Sequence, residues 1–175
     1  MAIHEHRPVL LEESLEALAI HPEGIYLDGT FGRGGHARAL LAKLGPRGRL
    51  LALDRDPEAV AVGRFMADQD PRLNVEQAPF SKAAAVAGRH GVLGAIDGIL
   101  LDVGVSSPQL DEAGRGFSFT AAGPLDMRMD NSTGETAAQW LARAKEAEIA
   151  RVLHEYGEER FSRRIAHALV TGRAE

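Results

Sequence analysis

The sequence predicts an α/β fold built on an open parallel sheet, followed by a helical segment. Three observations support this prediction: short apolar runs alternate with helical periodicity over residues 8–105, a glycine-rich turn follows the first run, and acidic residues end several runs. Strands and helices that alternate at this spacing are joined by crossovers, which place helices on both faces of the sheet. Ligands of such sheets bind at the carboxyl ends of the strands.

Turn and capping residues define the elements in order. Pro8 opens the first helix, Gly45-Pro46 ends the second, and Asp56-Pro57 gives the third an N-cap and a first-turn proline. Helices are predicted over residues 8–20, 35–44, 57–67 and from 81 onward, and strands over 25–27, 50–53, 73–77 and 96–103. The second and fourth strands are apolar enough to predict burial on both faces. We expect nothing in this chain to cover the edge beyond the fourth strand.

The character of the sequence changes after Val105. Residues 106–135 are rich in glycine, proline, aspartate and methionine and show little periodicity. Helical periodicity returns over residues 136–145, 147–156 and 159–170. The chain is therefore predicted to have two parts, a sheet part over 1–105 and a loop with helices over 106–175.

Composition excludes several classes of protein. The 175 residues are 45% hydrophobic and 26% charged, which is typical of a globular chain. The chain has no cysteine, so a disulfide framework and a thiolate metal site are excluded, and we predict no metal. We see no signal peptide and no apolar run near the roughly 20 residues of a membrane span, so a cytoplasmic location is expected. The net charge of −5 gives no argument for nucleic-acid binding.

The glycine-rich turn carries the first functional signal. Asp28 ends the first strand, and Gly32-x-Gly34-x-x-Ala37 fits a dinucleotide fingerprint between that strand and a helix. Asp54 ends the second strand, where an acid can hold the hydroxyl pair of a ribose. These features predict a nucleotide or nucleoside site, with NAD and S-adenosyl-L-methionine both compatible. The alternative is that the glycines only form a tight turn and that the acids are exposed strand-end residues.

The end of the fourth strand helps to separate these two ligands. Asp102 ends the strand and Ser106-Ser107-Pro108-Gln109 follows, in partial likeness to a turn of methyltransferases that act on exocyclic amines of bases. The lone pair of such an amine is delocalised into the ring, so acceptors must hold its protons and tilt the nitrogen before it attacks a methyl group. A plain turn is the alternative. Phe117 and Phe119 are candidates for stacking on a flipped base or for anchoring the loop.

Longer blocks resemble one family over essentially the whole chain. HRPVLLEE, YLDGTFGRGGH, LLALDRDP, DGILLDVGVSSPQLDEAGRGFSF, GPLDMRMD and YGEERFSRRIA are similar to the ribosomal RNA small subunit methyltransferase H family, also called MraW. The resemblance implies a Rossmann-like class I methyltransferase fold with a helical domain inserted after the fourth strand. It also implies methyl transfer from S-adenosyl-L-methionine to the N4 amine of a cytosine, in the decoding region of 16S ribosomal RNA in the small subunit. Residues 1–105 would bind the cofactor, and 106–175 would lie on the substrate side.

The family resemblance also implies which positions of this sequence contact the cofactor. The resemblance implies as contacts Gly34, Gly35, His36, Asp54, Phe80, Asp102 and Gln109. The glycines and His36 would line the methionine part, Asp54 would hold the ribose and Phe80 would lie against the adenine. From the residues alone His36 is interpreted as a packing or capping residue, and no proton-transfer role is assigned to it.

Asp102 and Ser107 are the candidate catalytic residues, because they follow the fourth strand and could position the amine. The negative charge of Asp28 would favour the sulfonium and amino groups of the cofactor, and the following helix N-terminus would favour its carboxylate. Because the chain has no cysteine, transfer would be direct, without the cysteine adduct used for methylation at ring carbon.

Alternative interpretations remain open at the level of sequence. Family members continue well beyond residue 173, so the chain is expected to be truncated at its C-terminus, and a catalytically silent fragment that binds cofactor or RNA is the alternative function. An NAD-dependent oxidoreductase would need a catalytic base and a substrate domain that the sequence does not supply. Candidate phosphate contacts are Arg115, Arg128, Arg163 and Arg164, with a solvated or salt-bridged surface as the alternative for each. The sequence does not determine the oligomeric state.

Overall fold

The structure, a computed structural model, describes residues 8–173 and contains one parallel four-stranded sheet in that range. Its strands are β1 (Ile25–Asp28), β2 (Arg49–Asp54), β3 (Leu73–Gln77) and β4 (Gly98–Leu100). Their order in the sheet is β3-β2-β1-β4, and Asp28 at the end of β1 is in register with Ala52 and Leu100. This is the order of the first four strands of a doubly wound fold, so the predicted α/β class is confirmed.

Helices connect the strands as the alternation predicts. The helices of this part are α1 (Leu11–Ala17), α2 (Gly35–Lys43), α3 (Pro57–Ala67) and α4 (Ala83–Arg89). Asp56 caps α3 by accepting a hydrogen bond from the Glu58 amide at 3.0 Å, as the Asp56-Pro57 pair predicts. A short 3-10 turn, Phe80–Lys82, precedes α4.

Both faces of the sheet are buried. Alternate residues of each strand point to opposite faces, so Tyr26 and Leu50 join one buried cluster together with Leu40 of α2. Leu27 and Leu51 join a second cluster, which also contains Val86 of α4. Helices therefore cover both sides, and the strand ends are the part of the sheet left open to a ligand.

The fourth strand differs from the prediction in length and in burial. β4 spans only Gly98–Leu100, and the side chain of Ile99 is 56% exposed. β4 pairs with β1 alone and therefore lies at the edge of the sheet, where its outer side has no neighbouring strand among residues 8–173. The apolar run 96–103 predicts a strand that is buried on both faces, and this prediction is wrong for the chain as it stands. The position of β4 at the edge of the sheet agrees with the sequence.

The first helix begins later than predicted. Pro8 precedes it, but Leu10 has φ 49° and ψ 38°, a left-handed conformation that interrupts a right-handed helix. α1 consequently starts at Leu11, and Val9 and Leu10 are exposed.

The chain divides between Ser106 and Ser107 into two compact units, of which the second is helical. Its helices are α5 (Ser107–Asp111), α6 (Ala137–Arg143), α7 (Glu146–Glu155) and α8 (Ser162–Gly172). A capping box between Thr136 and Gln139 starts α6, and α7 packs on α8 through buried Ile149 and Ala166. In the range that the structure describes, no helix is long and apolar enough to cross a membrane.

Two arginines hold the long loop of this second unit. Arg115 is buried and donates to the Met129 carbonyl at 2.8 Å. Arg128 forms a bidentate pair with Asp126, with distances of 2.8 and 2.7 Å. These contacts give both arginines structural roles in the loop, as an alternative to phosphate binding.

Candidate cofactor site at the strand ends

Asp28 is a buried acid at the end of β1. Its side chain is 1% exposed, and Oδ1 accepts a hydrogen bond from the Thr30 amide at 3.0 Å. Oδ2 has no hydrogen-bond partner in the described part of the chain. Burial, aided by the negative charges of Asp54 and Asp102 and opposed by the Thr30 hydrogen bond, raises the pKa of Asp28 to about 7. A buried carboxyl with a free oxygen is thus built into the sheet end.

Asp54 braces the glycine-rich turn. Its Oδ2 accepts from the Gly32 amide at 2.7 Å and its Oδ1 accepts from the Asp56 amide at 2.9 Å. The carboxylate therefore joins the turn after β1 to the start of α3. A carboxylate offers about four acceptor positions, so Asp54 can still accept hydrogen bonds from ligand hydroxyls.

Thr30 links the ends of β1 and β4. Its Oγ1 accepts from the Asp102 amide at 2.7 Å, while its own amide donates to Asp28. The side chain of Asp102 is 55% exposed and is open to solvent beside this link. Sequence reasoning missed Thr30, although Asp28-x-Thr30 is the spacing of a turn in which an acid accepts from the amide two residues on.

His36 lies in the first turn of α2 and is 7% exposed. Its Nε2 is 3.2 Å from the Val9 carbonyl oxygen, which can only accept, so Nε2 carries a proton. Its Nδ1 is 4.0 Å from Oδ2 of Asp102. This arrangement orients the ring between the segment before α1 and the end of β4.

Crowding by the protein itself requires glycine in the turn before α2. Gly34 has φ 76°, and a Cβ there would lie 2.7 Å from the Phe31 ring and 2.8 Å from the Met66 sulfur. A Cβ on Gly35 would lie 2.4 Å from the ring of Pro8. The sequence pattern assigns these glycines to a nucleotide-binding fingerprint or to a tight turn, and internal packing in the structure already demands glycine at both positions.

Of the remaining residues that the sequence predicts for the site, some lie in the first compact unit and others in the second. In the first, Phe80 is 46% exposed and lies beside the end of β1, since a Cβ on Gly29 would be 3.1 Å from Cβ of Phe80. In the second, Ser107 begins α5 and Gln109 of the same helix is buried. Phe119 is 99% exposed and so does not anchor its loop to a core.

The electrostatics of the strand ends favour a ligand with positive charge. The first unit brings together three carboxylates, from Asp28, Asp54 and Asp102, and no lysine or arginine of residues 8–173 forms an ion pair with them. Such a site attracts cations and hydroxyl donors and repels a pyrophosphate. Among the described residues, no group of three or more His, Asp or Glu side chains is arranged to hold a metal ion.

The parallel order β3-β2-β1-β4, with a glycine-rich turn after β1 and acids at the strand ends, defines a doubly wound α/β domain of the Rossmann type. The chain belongs to the MraW methylase family, because the model of that family matches residues 3–175. This match covers both compact units.

Two curated relatives are similar over nearly the whole chain. The ribosomal RNA small subunit methyltransferase H of Thioalkalivibrio sulfidiphilus is 61% identical over 97% of this chain and 54% of its own length. The protein of the same name from Azoarcus sp. is 60% identical over 97% of this chain and 53% of its own length. The chain therefore spans about half the length of the curated relatives it matches. Among solved structures, a SAM-dependent methyltransferase from Aquifex aeolicus shares 23% identity and a TM-score of 0.33 over 39% of this chain and 37% of its own.

Proposed function

We propose that this chain carries the cofactor-binding half of an enzyme that methylates the N4 amine of a cytosine in 16S ribosomal RNA. The methyl donor is S-adenosyl-L-methionine, the substrate is the decoding region of the small ribosomal subunit, and the place of action is the cytoplasm. The observation that carries the proposal is the set of three carboxylates at the strand ends, with which no lysine or arginine of residues 8–173 forms an ion pair, in a chain of the MraW methylase family.

The strand ends suit S-adenosyl-L-methionine better than NAD. This cofactor has a sulfonium and an ammonium group, and Asp28 offers a buried carboxylate oxygen without a partner in residues 8–173. Its carboxylate matches the positive end of α2, which begins at Gly35. NAD instead carries a pyrophosphate, which the three carboxylates would repel.

Each proposed contact has a role that its surroundings support. Asp54 would accept from the ribose hydroxyls, and the half-exposed ring of Phe80 would lie on the adenine. The turn at Gly34 and Gly35, together with His36, would border the methionine part, with His36 oriented by the Val9 carbonyl.

When bound, S-adenosyl-L-methionine supplies an electrophilic methyl group on positively charged sulfur. We assign to Asp102 and Ser107 the task of holding the amine protons, so that the nitrogen lone pair faces the methyl carbon in line with the bond that breaks. The exposed carboxylate of Asp102 can also accept the proton that the amine loses. Gln109 of α5, which is buried, is also proposed as a cofactor contact.

Replacing Asp54 with alanine is expected to weaken binding of S-adenosyl-L-methionine by about 1 to 3 kcal/mol, because the ribose loses its acceptor and the turn at Gly32 loses its brace. Titration calorimetry with the purified chain measures this change. Asp56→Ala is the matched control, since it removes the cap of α3 and costs about 1 kcal/mol of stability but leaves the affinity within about twofold. Equal affinities of Asp54→Ala and the unaltered chain would contradict the ribose role.

The reaction itself is tested with methyl-labelled cofactor and assembled small subunits. The expected result is label on N4 of a cytosine, and label on ring carbon would contradict the proposal. Calorimetry on the same preparation separates this function from the alternative, in which the chain binds cofactor or RNA without turnover. Enhanced fluorescence of bound NADH would instead support an oxidoreductase.

A further inference from the structure

The turn between α7 and α8 contains a cluster of arginines around an exposed aromatic ring. The guanidinium carbon of Arg160 lies 4.5 Å from the ring centroid of Phe161, and that of Arg164 lies 4.9 Å from it. Phe161 nevertheless remains 44% exposed. Arg163, on the first turn of α8, is also exposed.

These arginines differ from others of the same unit in lacking an acidic partner. Arg143 pairs with Glu135, and Arg151 pairs with Glu155 at 2.7 Å. Among residues 8–173, by contrast, no carboxylate forms an ion pair with Arg160, Arg163 or Arg164. Their hydrogen-bond donors remain available to a ligand, and guanidinium groups bind phosphate oxygens through paired donors.

The N-terminus of α8 adds to the positive potential at this place. The helix has 11 residues and begins at Ser162, and within the described chain no side chain caps it. A helix N-terminus attracts anions through its free amides and its dipole. Arg163 and Arg164 lie on this same first turn, so two independent features favour an anionic group here.

The turn is held in place before any ligand binds. The Glu159 amide donates to the Leu153 carbonyl at 3.0 Å, and the Phe161 amide donates to Oε1 of Glu159 at 2.7 Å. The buried contact of Ile149 with Ala166 fixes α7 against α8. Since Glu158 and Glu159 belong to the same turn, its net charge is small, and recognition would depend on stacking and on local guanidinium contacts.

We propose that the segment Arg160–Arg164 binds single-stranded RNA, with a base stacked on Phe161 and phosphates held by the arginines and the N-terminus of α8. An aromatic ring beside arginines fits unpaired bases with their phosphates, because every base has a face that stacks. This inference rests on the proposed function, in which RNA is the substrate.

Fluorescence anisotropy of a labelled 12-nucleotide single-stranded RNA with the full chain tests the inference. Phe161→Leu is expected to weaken binding by about tenfold through loss of stacking. Arg163→Gln is expected to weaken binding less and to reduce the slope of log K against log salt by about 0.7. The matched control is Arg143→Gln, an arginine of the same unit that pairs with Glu135, and it should change affinity by less than about twofold.

The double variant Arg160→Gln/Arg164→Gln keeps the test decisive if Phe161→Leu does not fold, because both arginines are exposed. It should weaken binding by about tenfold or more. The inference is overturned if the unaltered chain does not bind the RNA, if the double variant binds as tightly as the unaltered chain, or if the control loses as much as Arg163→Gln. Calorimetry with S-adenosyl-L-methionine on the same samples separates the two proposals, since the substituted arginines and Phe161 are not among the proposed cofactor contacts.

Discussion

The free energy of unfolding should fall by on the order of 4 kcal/mol as the pH rises from about 4 to about 8, through the ionisation of Asp28 alone. Burial raises the pKa of this carboxyl from 3.8 to about 7 in the folded protein. Between these two values the folded state holds a proton that the unfolded state has released, so stability decreases as the pH rises. Above about pH 7 both states are ionised and the loss is complete. Urea denaturation at several pH values, without cofactor, measures the slope.

Asp28→Asn is the matched variant for this measurement. Asparagine keeps the acceptor for the Thr30 amide and cannot ionise. Between pH 5 and 7 the free energy of unfolding of this variant should therefore fall less steeply than that of the unaltered chain, by about 1.4 kcal/mol per pH unit. Asp126, whose pKa is lowered to about 2 chiefly by its hydrogen bond to Arg128, affects stability only at more acidic pH. The contribution of Asp126 to the free energy of unfolding is lost as the pH falls through its pKa in the folded protein. It therefore does not affect the slope measured between pH 5 and 7. Parallel curves for the two proteins would contradict the buried, protonated state of Asp28.

The same ionisation should govern cofactor affinity if the proposed function holds. A cationic group beside Asp28 requires the ionised form, and about one tenth of the carboxyl is ionised at pH 6 against about nine tenths at pH 8. Binding of S-adenosyl-L-methionine should therefore tighten by about tenfold between these values. Asp28→Asn should bind S-adenosyl-L-methionine more weakly than the unaltered chain at both pH values. An affinity that does not change with pH in the unaltered chain would place the cation of the cofactor away from Asp28.

The strands of the sheet were predictable where local sequence decides them. Leu73–Gln77 forms β3 at the predicted bounds, because turn residues on both sides delimit a short segment in which apolar Leu73 and Val75 alternate with polar residues. The run 96–103 misled the prediction, since its apolar residues are suited to a central strand while β4 has a neighbour on one side only. Burial of a strand depends on what lies beside it, and that information is not contained in the run itself.

The candidate site, like the sheet, was predictable from the sequence only in part. Asp28, Asp54 and Asp102 were predictable because each ends an apolar run, and parallel strands bring such ends to one edge. The free oxygen of Asp28 and the link through Thr30 depend on distances across the sheet, which sequence spacing does not specify. Arg163 and Arg164 were named from the sequence as candidate phosphate contacts, but the stacking of Arg160 and Arg164 on Phe161 is a property of the folded unit. The same is true of the lack of acidic partners among residues 8–173.

Gly34→Ala is expected to destabilise the first unit by about 2 to 5 kcal/mol. A left-handed conformation costs an alanine about 1 to 2 kcal/mol, and Gly34 has φ 76°. Its new Cβ would lie 2.7 Å from the ring of Phe31, a residue that is 3% exposed and has little room to move. Overpacking of this kind costs a further 1 to 3 kcal/mol or so. Thermal unfolding without cofactor measures the loss, which should lower the Tm by about 5 to 15 °C.

Gly32→Ala separates the cost of the left-handed backbone from the cost of crowding against neighbouring side chains. Gly32 is also left-handed, with φ 56°, but a Cβ there would meet only the Thr30 carbonyl oxygen, at 3.9 Å. This variant should therefore lose only the backbone part, about 1 to 2 kcal/mol. Equal losses at both positions would show that contact with Phe31 and Met66 contributes nothing. If Gly34→Ala instead kept its stability and lost only affinity for S-adenosyl-L-methionine, the glycine would be needed for the ligand rather than for packing, as the sequence pattern first suggests.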